Sequence, residues 1–500
     1  MSVVALCSTD EQTFVDSDFV AHFRCPEQYA GFMLTPADAV RDLRYERYQA
    51  RERNGLLRQA YYLARPLLPV PVRKHLQRLW FRDWRRIGFP RWPVDSTVEQ
   101  LFEQMMALAL TNHGETEIPF VWFWPDGASS AVIMTHDVET QAGRDFCMRL
   151  IDIDESYGIT SSFQIVPEDR YKVTSGFLDD IRARGCEVNV HDLNHDGRLF
   201  LDRQEFNRRA RLINMYARRF NAAGFRSAAL YRNLEWLQTL DFSYDMSVPS
   251  VGHLEAQRGG CCSVFPFFAG KMVELPLTTT QDYSLFHILR DHSIELWKKQ
   301  LDLITERHGL ASFITHPDYM KSGRPRETYE RLLGHLQQVR EEKRTWFALP
   351  GEVSQWWRDR SRMKVARRGN GWEVLGAGSE RARVGFARIE GGRVVYRLQS
   401  VLALLVLNGA TADAATDSAA AASETFAFPL VALLAAICFC ARTEGPIAHA
   451  IKRMAKAVLS KTRRWLKSKR APLSGSLVLG LSQIAAVNTV VLAVAARFFR

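Results

Sequence analysis

The stretch "VHDLNHDGRLFLDRQEF" (190–206) admits two incompatible readings. From Asp192 it shows D-x-N-x-D-G, the opening of a calcium loop of EF-hand type. From His191 it shows two histidines four residues apart, His191 and His195, a transition-metal pair. The calcium loop needs a bidentate acid at its twelfth position. Counted from Asp192, that position is Arg203, and the ninth is Phe200, which has no ligand atom. Asp202 and Glu205 have a better use. They have the spacing of a capping box, with Asp in place of Ser or Thr, ahead of a helix. On one face of that helix Phe206, Ala210, Ile213, Ala217 and Phe220 recur. The calcium reading falls and the histidine pair stands, although H-x-x-x-H is weak evidence by itself.

The surroundings strengthen it. "CEVNV" (186–190) reads as a strand, so His191 sits at its C-terminal end, where sites collect in parallel α/β proteins. Two neutral imidazoles suit zinc, cobalt, nickel or iron. Other strand ends also carry ionisable groups. "AVIM" (131–134) is followed by Thr135, His136, Asp137, Val138 and Glu139. "ASFIT" (311–315) is followed by His316, Pro317 and Asp318. Arg226 follows Gly224 and Phe225, and Glu274 lies in "KMVEL" (271–275). Helices are expected at 143–157, 175–184, 203–221 and 294–307, with a further strand at 161–166. Strands alternating with helices imply a mostly parallel sheet, as a barrel or an open sheet.

The chain has 500 residues and a net charge of +11, so two or three domains are expected. Cations crowd residues 58–91 and 442–470, which fits an acidic partner or simply solvated helix faces. The eight cysteines are scattered without a C-x-x-C pair, which argues against zinc fingers and a disulfide framework and for a reducing compartment. "MSVVALCSTDEQTF" does not read as a secretory signal; the expected location is cytoplasmic or membrane-attached. Residues 1–125 read as a helical N-terminal extension, 126–360 as the α/β domain, 361–407 as a small β-rich appendage and 408–425 as a low-complexity linker. Residues 426–500 read as an apolar and basic helical tail. Its run at 477–496 is long enough to span a bilayer and the run at 426–441 is marginal. If both span, the basic segment between them is cytoplasmic. The other readings are a single span, a tail lying along an anionic membrane, or two buried helices.

Residues from about 125 to 360 resemble the polysaccharide deacetylases, carbohydrate esterase family 4, and within them a bacterial subgroup whose first motif reads T-H-D-V-D/E. The resemblance rests on "THDVE" (135–139), "SSFQIVPE" (161–168), "VHDLNHDGRLF" (190–200), "GFRS" (224–227), "YDMSVP" (244–249), "FPFF" (265–268), "ELPLTTTQDYSLF" (274–286) and "THPDYM" (315–320), in that order. It implies an α/β fold, a distorted incomplete (β/α) barrel with a metal at the C-terminal mouth of the strands. It also implies roles. Asp137 is the general base and Arg226 orients it; His316 is the general acid, with Asp245 as its orienting partner. Glu139, His191 and His195 hold one divalent metal, zinc first, with cobalt or nickel as alternatives. The implied reaction is hydrolytic removal of an N-acetyl or O-acetyl group from a sugar or polysaccharide. The implied partner is an acetylated carbohydrate, with an anionic membrane through the tail and no nucleic acid.

The sequence departs from the family at Val138, which separates the two carboxylates, and at Glu139, where aspartate is usual. It departs again at 227–230 and at "SVPSVGHLEAQRGGCCS" (247–263). The division of labour between Asp137 and Glu139 therefore stays open, as does the substrate. Two other functions also stay open: a metal-dependent amidohydrolase on a non-sugar amide, and a catalytically silent membrane-attached glycan-binding protein.

Overall fold

The computed structural model describes residues 22–26, 37–49, 70–369 and 371–399. The expected linker at 408–425 and tail at 426–500, with both apolar runs, lie outside the described residues. Among the described residues no helix is long and apolar enough to cross a membrane.

The N-terminal part contributes α1 (Ala37–Arg44), α2 (Val70–Phe81), α3 (Thr97–His113) and then a strand, β1 (Ile118–Val121). The α/β domain follows as β2 (Ala131–Val138), α4 (Gln141–Ser156), β3 (Ser162–Ile165), α5 (Ser175–Ala183), β4 (Glu187–His191), α6 (Arg203–Arg219), β5 (Gly224–Arg226), α7 (Leu234–Leu237) and β6 (Tyr244–Asp245). It continues through β7 (Phe267–Ala269), β8 (Met272–Glu274), α8 (Glu295–Glu306), β9 (Leu310–Thr315), α9 (Gly323–Lys343), β10 (Trp346–Phe347) and α10 (Pro350–Arg362). Two hairpins complete it: β11 (Lys364–Arg368) with β12 (Gly371–Leu375), and β13 (Val384–Glu390) with β14 (Arg393–Leu398).

Strands β2, β3, β4, β5, β6 and β8 lie side by side and parallel. β9 and β10 also pair parallel with β2, and β7 closes the far edge antiparallel to β8. Every residue of β2, β3 and β9 is buried, as expected of a parallel sheet covered on both faces. Among the described residues no strand joins β8 to β9. Instead the segment after Glu274 reaches β9 through hydroxyls. Thr278 Oγ1 donates to the Leu310 carbonyl at 2.7 Å, Thr279 Oγ1 donates to that of Ser312 at 2.7 Å, and Ser312 N donates back to Thr278 Oγ1 at 2.9 Å. The result is a distorted, incomplete (β/α) barrel.

Helices α4 and α6 begin on side-chain caps that also end the site loops. Thr140, next to Glu139, accepts from Gly143 N at 3.0 Å. Asp202, just after the histidine loop, accepts from Glu205 N at 2.8 Å. The expected capping box is half formed, because Glu205 turns its own carboxylate to Arg208 and Arg209. The expected apolar face of α6 is buried throughout.

Two differences matter. β2 runs on through Val138, so Thr135, His136 and Asp137 lie within the strand. The β-rich appendage also takes β1 from the N-terminal part, pairing Ile118–Val121 with β13. The fully buried Arg360 joins this sheet to the barrel. Its Nε donates to the Trp122 carbonyl at 3.0 Å and Nη2 to that of Val121 at 2.6 Å. At Gly385 of β13 a side chain would come within 2.7 Å of the Phe120 ring, so only glycine fits.

Candidate metal centre and active site

Strand alternation sorts the first motif. His136 points to the outer layer, where its Nε2 lies 2.8 Å from Asp154 Oδ2 and its Nδ1 2.7 Å from Thr315 Oγ1. It is a structural histidine, because both ring nitrogens are committed. Asp137 points into the mouth. Its Oδ1 accepts from Arg226 Nη1 at 2.6 Å; the same nitrogen donates to Thr135 Oγ1 at 2.8 Å, and Arg226 Nε donates to the Met246 carbonyl at 3.1 Å. Three fixed acceptors thus hold the buried guanidinium, and it in turn fixes one oxygen of Asp137. The other, Oδ2, lies 3.6 Å from His191 Nε2.

Glu139 is the centre of the cluster. Its Oε1 lies 2.8 Å from His195 Nε2, 3.3 Å from His316 Nε2 and 3.6 Å from His191 Nε2. Two groups here could hold a metal ion: Glu139 with His191 and His195, and Asp137 with Glu139 and His316. The first fits better. Nε2 of His191 and of His195 are buried yet make no aligned hydrogen bond, an expensive arrangement unless a ligand takes the lone pairs. His191 Nδ1 lies 3.1 Å from the Arg226 carbonyl. A carbonyl only accepts, so Nδ1 carries the proton and Nε2 is left as a donor atom for a metal.

The histidine loop is built rather than loose. Asp192 and His195 adopt positive φ, 56° and 53°. Arg170 clamps the turn, with Nε donating to the Asn194 carbonyl at 3.0 Å and Nη2 to that of His195 at 2.5 Å. The acids that imitate a calcium loop are used elsewhere. Asp196 takes both terminal nitrogens of Arg209 at 2.7 and 2.8 Å, and Asp202 caps α6.

His316 follows β9. Its backbone N donates to Asp282 Oδ2 at 2.7 Å and its Nδ1 to Asp282 Oδ1 at 2.6 Å, which turns Nε2 toward Glu139. This corrects the expectation for Asp245: the carboxylate that orients His316 is Asp282. Asp245 accepts from Ser247 N at 3.1 Å and Ser247 Oγ at 2.7 Å, and it pairs in register with Glu274 on β8. Its strand lies on the far side of the sheet from β9, so it faces Glu274 instead. Asp282 stands in the quoted "ELPLTTTQDYSLF", and that motif was the available signal. Arg170 and Thr135 also went unread, with no periodic signal to find them.

The charges are poised apart. Burial alone would raise the carboxyl of Asp137, but Arg226, His191 and His316 more than offset this and hold it below the usual range. Glu139 lies well below its ordinary value, because His195 and His316 outweigh its burial. Burial would lower His316, yet Asp282 and Glu139 raise it well above 6.5. Behind Arg226, burial pushes Glu274 well above the carboxylate range, with Asp245 adding to it, and burial also raises Asp245. Both carboxyls of that pair are thus pushed toward their neutral form.

Beside His316 stands an aromatic group. The Tyr319 ring is 5.1 Å from His316 and 6.4 Å from Tyr283, which opens a π-helical turn at Ser284–Leu289. Two open surface clefts, about 650 and 780 Å³, lie along α9, the first also against α8, and include none of these residues.

No family model matches the chain, and no curated protein matches it in sequence. Solved structures match about half of the chain. A Mycobacterium smegmatis protein assigned as a polysaccharide deacetylase is 17% identical with a TM-score of 0.41, covering 50% of this chain and 98% of its own. A Pseudomonas aeruginosa protein of the same assignment is 14% identical with a TM-score of 0.37, covering 47% and 92%. The allantoinase Puue is 12% identical with a TM-score of 0.36, covering 47% and 92%. The chain is similar to them in fold.

Proposed function

We propose that this protein is a divalent-metal-dependent hydrolase that removes acetyl groups, N-acetyl before O-acetyl, from a sugar or polysaccharide. The observation that carries the reading is the meeting of Glu139 Oε1 with three imidazole nitrogens within 3.6 Å. On either side stand two oriented pairs, Asp137 with Arg226 and His316 with Asp282.

Glu139, His191 and His195 would hold the ion, with zinc the first candidate for this donor set and cobalt or nickel the others. Such an ion supplies Lewis acidity, which acidifies water to a pKa near about 7 and polarises an acyl carbonyl. The side chains do the proton work. Asp137 is held ionised, and its Oδ2 is left to take a proton from attacking water. Arg226 keeps that carboxylate from swinging away and from being protonated. His316 carries a proton on Nε2 and delivers it to the leaving nitrogen, a contribution on the order of 10²–10⁴ in rate. Asp282 then stabilises the ring in the tautomer that can be reprotonated. The hold of Arg226 on Asp137 supports that residue as the base, and the approach of Glu139 Oε1 to all three imidazoles supports it as the ligand.

The test measures bound metal and acetate release from a panel of acetylated amino sugars, with small cyclic amides in parallel. One divalent ion per chain and acetate release are expected, and both are lost in His191→Ala/His195→Ala. Unchanged metal content and rate in that variant would refute the proposal. Turnover of the cyclic amides alone would replace the substrate class.

A further inference from the structure

We infer that the outer face of α2 is a docking surface for an anionic lipid bilayer. Helix α2 is amphipathic the wrong way round for a soluble protein. Among its described side chains Phe81 is buried, and Gln77 turns inward, its side-chain oxygen accepting from the Tyr283 hydroxyl. Its outward stripe carries Leu76, Leu79 and Trp80, at 40, 47 and 44% exposure. Residues 76–89 hold four of the nine exposed large apolar side chains among the described residues, Phe89 being the fourth.

The charge around the stripe selects the partner. Residues 70–91 contain seven Lys or Arg and one acid, Asp83. Arg82, Arg85, Arg86 and Arg91 are all exposed. Asp83 meets Arg82 at 3.4 Å and Arg86 at 3.7 Å, both exposed ion pairs, which bind too weakly to spend the charge. A Leu/Leu/Trp stripe on a convex helix, fringed by arginines, matches the acyl boundary and anionic headgroups of a bilayer. A protein groove would match the apolar stripe but not require the cationic fringe. The sequence adds an independent pointer in its apolar runs at 426–441 and 477–496.

The surface is also tied to the site. Gln77 touches Tyr283, whose ring is 6.4 Å from Tyr319, and Tyr319 is 5.1 Å from His316. Docking therefore brings the acid's side of the mouth to the membrane, where a lipid-carried glycan would be presented. The docking itself is independent of the hydrolase reading, since vesicle binding is scored without metal or turnover.

The experiment uses the full chain and vesicles of phosphatidylcholine with or without about a third phosphatidylglycerol. Wild type is compared with Leu76→Ser/Leu79→Ser/Trp80→Ser, and with Trp80→Phe in vesicles whose acyl chains are brominated. The triple variant is expected to lose on the order of tenfold in partitioning to anionic vesicles. Trp80→Phe should remove a lipid-quenched share of the tryptophan emission, which reports this helix whatever the C-terminal runs do. Equal partitioning by the triple variant, or unchanged quenching in Trp80→Phe, overturns the inference. Equal binding to neutral and anionic vesicles overturns the role of the arginines. Loss of concentration-dependent self-association without any vesicle effect would make the face a contact between two copies and also overturn it. Should the triple variant melt below wild type, the quenching experiment decides alone.

Discussion

Asp282→Asn is the sharpest perturbation of the proposed acid. Asp282 accepts two bonds from His316, at 2.7 Å from its backbone N and 2.6 Å from its ring. Both are buried, and both involve a carboxylate. A hydrogen bond to a charged group is worth about 1.5–3 kcal/mol. Losing the ring's share lowers the His316 pKa, because Asp282 is the largest influence raising it. The sign follows from the role. His316 must be protonated to donate, so activity is present below its pKa and is lost as pH rises through it. The variant's kcat/KM profile should therefore keep its acid limb, set by Asp137, while its alkaline limb moves to lower pH. At pH above the new limb, turnover should fall by about 10² or more. Asparagine also cannot accept both bonds, since its amide nitrogen must face one of the two donors. Stability should drop by about 1–3 kcal/mol, visible in Tm. An alkaline limb in its original place, with an unchanged rate, would remove Asp282 and His316 from the chemistry.

Three further outcomes follow from the same contacts. Arg170→Ala frees the turn that presents His195 and should weaken metal binding by about 10–100-fold, as loss of outer supports does, measured by competition with a chelator; unchanged affinity would show that the turn holds itself. Arg226→Lys replaces a fork that meets Asp137, Thr135 and the Met246 carbonyl with a single ammonium, so kcat should fall by about 10² with bound metal retained. Glu274 is raised in the folded state, so it costs stability as pH climbs from its unfolded value toward its folded one. Glu274→Gln should therefore flatten the decline of Tm between about pH 5 and 8, and curves running parallel to wild type would deny the upward shift.

How much of this was legible depended on how each residue is held. His191 and His316 were readable because each closes or follows a short apolar strand that the sequence marks with its own pattern, and Arg226 from the motif "GFRS" (224–227). His195 was readable from its spacing, and the false calcium loop fell on Arg203 and Phe200. β2 looked shorter than it is because its last residues, Thr135 to Val138, include polar side chains serving the site. β5 and β6, of three and two residues, are too short for any periodicity. Asp245 was misassigned because it sits in a strand-end motif like the others, and only the register shows it opposite Glu274. The appendage's third strand was hidden because β1 finds its partner β13 far along the chain.

Asp282 is the instructive miss, and its place explains why the barrel is incomplete. A tenth strand closing the gap to β9 would have spent its backbone groups on ladder bonds and ended level with its neighbours. Here Thr278 and Thr279 bind β9 with hydroxyls instead. The backbone is then free to climb past the rim, so that Asp282 meets both the backbone and the ring of His316. The same break separates the two charged pairs: Arg226 acts from β5 on one side of Glu139 and Asp282 from the gap on the other. A carboxylate is thereby kept ionised and an imidazole kept protonated around one carboxylate oxygen, which is the separation of acid from base that hydrolysis at neutral pH needs.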